Sequence, residues 1–324
     1  MNGAWLMYEP CLARLARLDA YLDELLTCAD AKLSEVARHL LAHGGKRLRP
    51  TLLFLAADLD GGTADEEALL RAGAAVELLH VATLYHDDVM DRAETRRGAP
   101  TANARWGQAV AVTAGTFIFA RAIGLLGGLD ARVARWAGEG VLALALGQLQ
   151  ETENAYNPDH QLARYLEVAA KKTAALFELP CRAGAALGGA SEEVCEAAGL
   201  YGRALGLAFQ AVDDVLDLTA EARGLGKRPG TDLREGVYGM PTLVALSHSP
   251  HRERLRALLT LDDPADADLA EARDLILGSG AAEHATAIAE DYSRQAVSAA
   301  LCLPDGPARR TMIQLAAYVV LRAH

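Results

Sequence analysis

The sequence is poor in the features that mark secreted, metal-thiolate or nucleic-acid-binding proteins. Its five cysteines, Cys11, Cys28, Cys181, Cys195 and Cys302, show neither CxxC nor CxxH spacing. A scattered, odd set excludes a zinc framework and a disulfide scaffold, and fits reduced thiols in the cytoplasm. Aromatic residues make up only 5%, and the Val/Ile/Thr alternation of strands is missing; alanine and leucine dominate instead. That balance favours helix over sheet. Positive charge is in deficit, with 32 Lys and Arg against 43 Asp and Glu, a net −11. Such a charge argues against a nucleic-acid partner and against an anionic membrane surface. The N-terminus has no basic region followed by an apolar core, so no signal peptide is expected. The most apolar stretch, 107–120, stops at Arg121 and is too short to span a bilayer. A cytoplasmic protein without stable membrane insertion is expected.

What is present is helical periodicity along nearly all 324 residues, broken by Gly/Pro signals such as Gly61-Gly62, Asn157-Pro158 and Asp263-Pro264. Thr63-Ala64-Asp65-Glu66 reads as a capping box, Ser191 as an N-cap, and Pro241 as a first-turn residue. No composition shift separates two domains. The expectation is all-α: a single large helical domain over 1–324, its helices surrounding a central active-site cavity.

Two segments break the apolar pattern. Asp87-Asp88-Val89-Met90-Asp91 and Asp213-Asp214-Val215-Leu216-Asp217 both read DDxxD. On a helix, Asp87 and Asp91 share a face, as do Asp213 and Asp217. Asp88 and Asp214 point about 100° away. Like charges this close need a counter-charge. Oxygen donors without nearby sulfur favour Mg²⁺, which takes few carboxylates and completes its shell with water and phosphate. One such cluster is as readily a solvated helix face; two in one chain suggest carboxylates holding cations and a phosphorylated ligand.

Basic clusters stand out against the acidic background: His43–Pro50 with Lys46, Arg47 and Arg49; Arg96-Arg97; Lys171-Lys172-Thr173; and Lys227-Arg228. Arginine suits bidentate phosphate contact and lysine a mobile point charge. Taken singly, each is an ordinary surface group. Together they bracket both acidic motifs and suggest two anionic sites, one with metal and one with cations alone. Two diphosphates side by side allow one to leave while the other stays attached to a nucleophile.

The segments GGKRLRP (44–50), ELLHVATLYHDDVMDRAETRRGAPT (77–101), KKTAALF (171–177), FQAVDDVLDL (209–218) and GKRPGTDLREG (226–236) occur in the order found in trans-isoprenyl diphosphate synthases, the polyprenyl synthetase family. The chain resembles that family from about residue 40 to 246. The resemblance implies Mg²⁺, three per active site, a homodimer, and condensation of isopentenyl diphosphate with an allylic diphosphate, 1′-4 and trans, releasing pyrophosphate. By position, Asp87, Asp91 and Asp213 resemble direct metal ligands, and Asp88, Asp214 and Asp217 indirect or water-mediated partners. Lys46, Arg49, His80 and Arg97 resemble the isopentenyl diphosphate site. Arg96, Lys172 and Lys227 resemble partners of the allylic diphosphate, and Thr173 and Gln210 groups that position the allyl or stabilise its cation. Gln210 lies one turn before Asp213.

Departures from the family pattern are Val237 where many members have lysine, Thr116 after Ala114-Gly115 where many have aspartate, and Tyr85 in place of leucine. The C-terminal Arg322-Ala323-His324 is less basic than in many members, which leaves its part in closing the site open. The prenyl tail is expected to run from Asp87 towards the helix N-terminus, about one turn per five-carbon unit. Ala82 and Thr83 are small there, Leu79 is one turn further on, and Phe117 is a candidate floor. A product longer than farnesyl is therefore expected. The rival readings are a class I terpene cyclase, disfavoured by the intact second motif, and a non-catalytic subunit of a heteromeric synthase.

Overall fold

A computed structural model describes residues 8–61, 64–219 and 230–322. Thr63, Lys227, Arg228, Ala323 and His324 lie outside them. Among the described residues the only strands form a two-residue hairpin, Thr95–Arg96 with Ala99–Pro100, and regular structure is otherwise helical. The chain groups into two compact units: Met1–Glu139 with Leu176–Gly199 and Ala300–Met312, and Gly140–Ala175 with Leu200–Ala299 and Ile313–His324.

The first unit is built on α4 (Glu66–Met90), whose middle is buried on every side from Ala72 to Leu79. Around it pack α1 (Glu9–Leu25), α3 (Leu48–Ala57), α5 (Ala102–Trp106) and α6 (Gln108–Leu126), while α2 (Ala31–Ala42) lies on α5 and α6. A helix this apolar cannot face water and becomes the core. Gly73 leaves room for the Phe54 ring, since a methyl there would sit 2.8 Å from its Cζ. Asp65 caps α4, its carboxylate accepting from Glu67 N at 2.9 Å. Asp30 caps α2 and Thr101 caps α5 in the same way.

α6 carries the apolar run past Arg121 to Leu126, and Arg121 lays its guanidinium 5.2 Å over the Phe117 ring. By length and composition α4 and α6 both reach the threshold for crossing a bilayer, yet each packs within the unit.

In the second unit, α8 (Leu162–Ala169) passes through a π-helical turn, Ala170–Ala174, into α9 (Ala175–Leu187), which belongs mostly to the first unit. Ala169, Ala170 and Ala174 pack against Leu207 of α10 (Glu192–Thr219). Gly147 of α7 (Ala131–Asn154) lets the π turn approach closely; a methyl there would lie 2.8 Å from Lys172 N. Ser191 Oγ accepts from Val194 N at 3.4 Å at the start of α10, and Pro241 stands in the first turn of helix Met240–His248.

Candidate active site

The first acidic motif ends α4 and the second lies in the last two turns of α10. Neither helix has a basic residue in its last turn. The helix dipole already makes these ends negative, so stacking carboxylates there costs stability unless cations are supplied. Arrangements of this kind serve binding rather than folding.

Within each motif the middle aspartate is buried and held. Asp88 is 3% exposed and accepts from Arg96 Nε at 2.6 Å. Asp214 is 5% exposed and accepts from Met240 N at 2.7 Å, Gln210 Nε2 at 2.8 Å and the Tyr165 hydroxyl. Burial pushes the Asp214 carboxyl up to about 6 against the pull of those three donors, and pushes the Tyr165 phenol well above its usual value. Gln210 thus holds Asp214, four residues on, rather than Asp213. The outer aspartates reach solvent: Asp91 is exposed, Asp87 and Asp217 half-buried, and the Asp213 side chain 41% exposed.

The cationic side is shaped by strained backbone. Arg97 and Gly98 both have positive φ, 54° and 75°, and form the two-residue turn of the hairpin. Such turns favour Asn-Gly, so an arginine in the left-handed region is paid for by what its side chain does. Its Nη1 donates to Leu40 O at 3.0 Å and to Gly44 O. Arg47, also left-handed at φ 47°, pairs with Asp19 at 2.8 Å and with buried Glu77 at 3.0 Å. Gly45 has φ 153° and faces both guanidiniums; a methyl would sit 2.6 Å from Arg47 Nη1 and 3.0 Å from Arg97 Nη1, so the two side chains would have to shift. Arg49 stacks 5.1 Å over Phe177. His80 is held well below its usual value, first by burial and then by Arg49, Arg97, Arg96 and Arg47. Four guanidiniums around one imidazole suit a multiply charged anion. Lys46 opens this same 46–49 run.

In the second unit a cavity of about 100 Å³ is lined by Glu151, Tyr165, Lys172, Thr173, Gln210 and Asp214 among others. The π turn puts Lys172 against Glu151 and Thr173 Oγ1 2.7 Å from Gln210 Oε1. A continuous chain of hydrogen bonds therefore runs Thr173–Gln210–Asp214–Tyr165. Val237, which stands where many members of the family carry lysine, lines the same cavity.

Of the tail residues, Ala82 and Leu79 are fully buried in α4. Thr83 is half-buried with its hydroxyl on His80 O at 2.8 Å, and Phe117 lies half-buried on α6.

Sequence reasoning missed Tyr165, Glu151 and the Arg47–Glu77 pair, and, though it weighed Arg322 for closing the site, not its partner: Arg322 donates to Asp213 at 3.0 Å. Only Glu77, an acid inside an apolar helix, carried a local signal.

Among the described residues no group of three or more His, Cys, Asp or Glu side chains clusters as a metal cage. The donors that are offered, carboxylate oxygens in pairs at helix ends, suit a hard cation that completes its shell from water and phosphate.

The sequence model of the family described as Polyprenyl synthetase matches residues 30–276. The nonaprenyl diphosphate synthase of Mycobacterium tuberculosis is 40% identical over 96% of this chain and 92% of its own length. Heptaprenyl diphosphate synthase component 2 of Geobacillus stearothermophilus is 33% identical over 97% of both. The crystal structure of a Caulobacter crescentus polyprenyl synthase complexed with calcium and isoprenyl diphosphate superposes with a TM-score of 0.90 at 35% identity, covering 95% of this chain and 94% of that one. The all-α fold, the paired acidic helix ends and these likenesses agree: the chain belongs to the polyprenyl synthetase family and is a trans-isoprenyl diphosphate synthase, a transferase.

Proposed function

We propose that this enzyme condenses isopentenyl diphosphate with an allylic diphosphate, head to tail and trans, and stops at a product of geranylgeranyl length or longer. The observation that carries the reading is the shared construction of the two motifs. Each fixes its middle aspartate by burial and hydrogen bonds and leaves the outer ones towards solvent at a negative helix end.

Asp87, Asp91 and Asp213 are the residues to hold Mg²⁺, three ions per site; when bound, the metal supplies Lewis-acid stabilisation of the departing pyrophosphate. The buried Asp88 and Asp214 orient their neighbours. Arg97, Arg49, Lys46 and neutral His80 bind the diphosphate that stays attached. Arg96, Lys172 and Lys227 serve the one that leaves. Thr173 and Gln210 present oxygen dipoles to the developing allylic cation, where preformed dipoles stabilise charge without reorganisation. Small side chains at Ala82 and Thr83 support passage of a tail beyond fifteen carbons, and the nonaprenyl synthase likeness supports the same direction.

The assembly is a homodimer in this reading. α6 exposes Ala109, Val112, Thr113, Thr116, Ala120 and Ile123 as one uncharged stripe, which suits a self-complementary twofold contact. Thr116, in place of aspartate, keeps that stripe neutral. The enzyme acts in the cytoplasm on water-soluble diphosphates.

Incubation with isopentenyl diphosphate, an allylic diphosphate and Mg²⁺ tests the reading. A linear diphosphate longer than C15 with released pyrophosphate is expected. A cyclic hydrocarbon would instead identify a cyclase. No turnover by the purified chain, restored by a second subunit, would identify a component of a heteromeric synthase, as the heptaprenyl component 2 likeness suggests.

A further inference from the structure

Tyr85 stands two residues before Asp87 and is 1% exposed. Its hydroxyl leaves α4 and enters the backbone of α2. It donates to Val36 O at 2.5 Å, with a second contact to Ala37 O at 3.3 Å, and accepts from Leu40 N at 3.3 Å. Val36 O and Leu40 N are the two ends of one i→i+4 rung of a helix. A side-chain oxygen shared by both ends sets the pitch of that turn.

The same turn supplies the acceptors for Arg97. Leu40 O takes Arg97 Nη1 at 3.0 Å, and Gly44 O, just past the helix, takes it again. α2 also grips the hairpin that carries Arg97, through His39 Nε2 and Pro100 O at 2.7 Å. On its other side Tyr85 is pressed by α6: a methyl on Gly115 would lie 3.1 Å from Tyr85 Cβ and 2.6 Å from His86 Nε2. Asp87 is thus joined to Arg97 by a short path: along α4 to Tyr85, through its hydroxyl to Leu40, and through Leu40 O to the guanidinium.

We propose that Tyr85 is a positioning residue that sets the placement of Arg97, and hence the affinity for isopentenyl diphosphate, from the helix that carries the first aspartate motif. A leucine at this position cannot make the link, so the coupling is a property of chains with tyrosine there. Without the hydroxyl, Val36 O loses a donor and Leu40 N an acceptor, and the turn whose carbonyl fixes Arg97 is held less firmly.

The inference rests on the assignment of Arg97 to the isopentenyl diphosphate site, and the experiment separates the two. Tyr85→Phe keeps the ring and the packing. Its KM for isopentenyl diphosphate, and its Kd measured calorimetrically with isopentenyl diphosphate alone, should rise about threefold to tenfold, the size of one hydrogen bond. KM for the allylic diphosphate and kcat should stay within about twofold of wild type on the same scale. In an Arg97→Gln background, Tyr85→Phe should add nothing further. If Arg97→Gln raises the isopentenyl diphosphate KM but Tyr85→Phe leaves it unchanged, or lowers kcat alone, the positioning role is wrong. If Arg97→Gln itself leaves that KM unchanged, the site assignment fails first.

Discussion

Arg322 holds Asp213 across 109 residues of chain, with Nη2 3.0 Å from Oδ1. The guanidinium also lies 4.9 Å over the Phe209 ring, one helical turn earlier on α10. A cation therefore already sits on an oxygen assigned to Mg²⁺. Arg322→Gln should lower the Mg²⁺ concentration for half-maximal activity about threefold to tenfold, because the competitor is gone. The metal-free protein should lose only about 1 kcal/mol, since Asp213 is partly solvated. A variant needing more Mg²⁺ than wild type would show that Arg322 assists the metal rather than competing with it.

His80 predicts a pH slope. Its folded value is held below the ordinary one near 6.5, so below that pH the unfolded chain takes up a proton the folded chain refuses. Stability then rises with pH, and the contribution is lost as pH falls from about 6.5 towards the lower folded value. His80→Asn should flatten urea-unfolding stability between about pH 5 and 7 by up to ~1.4 kcal/mol per pH unit. Parallel pH profiles for the two proteins would refute it.

Asp214 predicts the opposite sign. Its carboxyl is raised to about 6, so its contribution is fully present below the unfolded value near 3.9 and is lost as pH rises through 6. Asp214→Asn should gain on wild type between about pH 4 and 6 in thermal scans. Tyr165→Phe removes one of its donors and should cost about 1–3 kcal/mol.

Product length is read directly by chromatography. Thr83→Phe and Ala82→Phe should both shorten the product by at least one five-carbon unit. Ala82 is fully buried, so its variant should also lose about 1–3 kcal/mol from overpacking. An unchanged product from a folded Thr83→Phe enzyme would place the tail elsewhere.

Gly184 faces the backbone of α3, where a methyl would overlap Leu53 O. Gly184→Ala should therefore destabilise the first unit by about 1–3 kcal/mol or more, measured by chemical denaturation. A neutral substitution would mean that the two helices part without cost.

The sequence displayed the features that depend on neighbours along the chain. The i, i+4 carboxylates, the first-turn Pro241 and the Ser191 cap all act within a few residues, and all are where pattern reasoning puts them. The features it hid depend on distant partners. Nothing near Asp213 points to Arg322, nothing near Asp214 points to Tyr165, and Tyr85 reads as one more apolar residue until Val36 is beside it. Proximity along the chain pairs Gln210 with Asp213; rotation about the helix gives it to Asp214. Arg121 reads as the end of an apolar run, but a ring at Phe117 lets the helix carry it.

The π turn at Ala170–Ala174 has a bearing on how this stretch tolerates change in length. A π turn is one residue inserted into an α-helix. Deleting any residue of Ala170–Lys172 would let α8 and α9 fuse into one regular helix that is better bonded locally. It would also turn the residues before the gap by about 100° about the helix axis relative to those just after it. The stretch could then no longer keep both the Lys172–Glu151 and the Tyr165–Asp214 contacts. This segment should therefore accept substitutions far more readily than single-residue gaps.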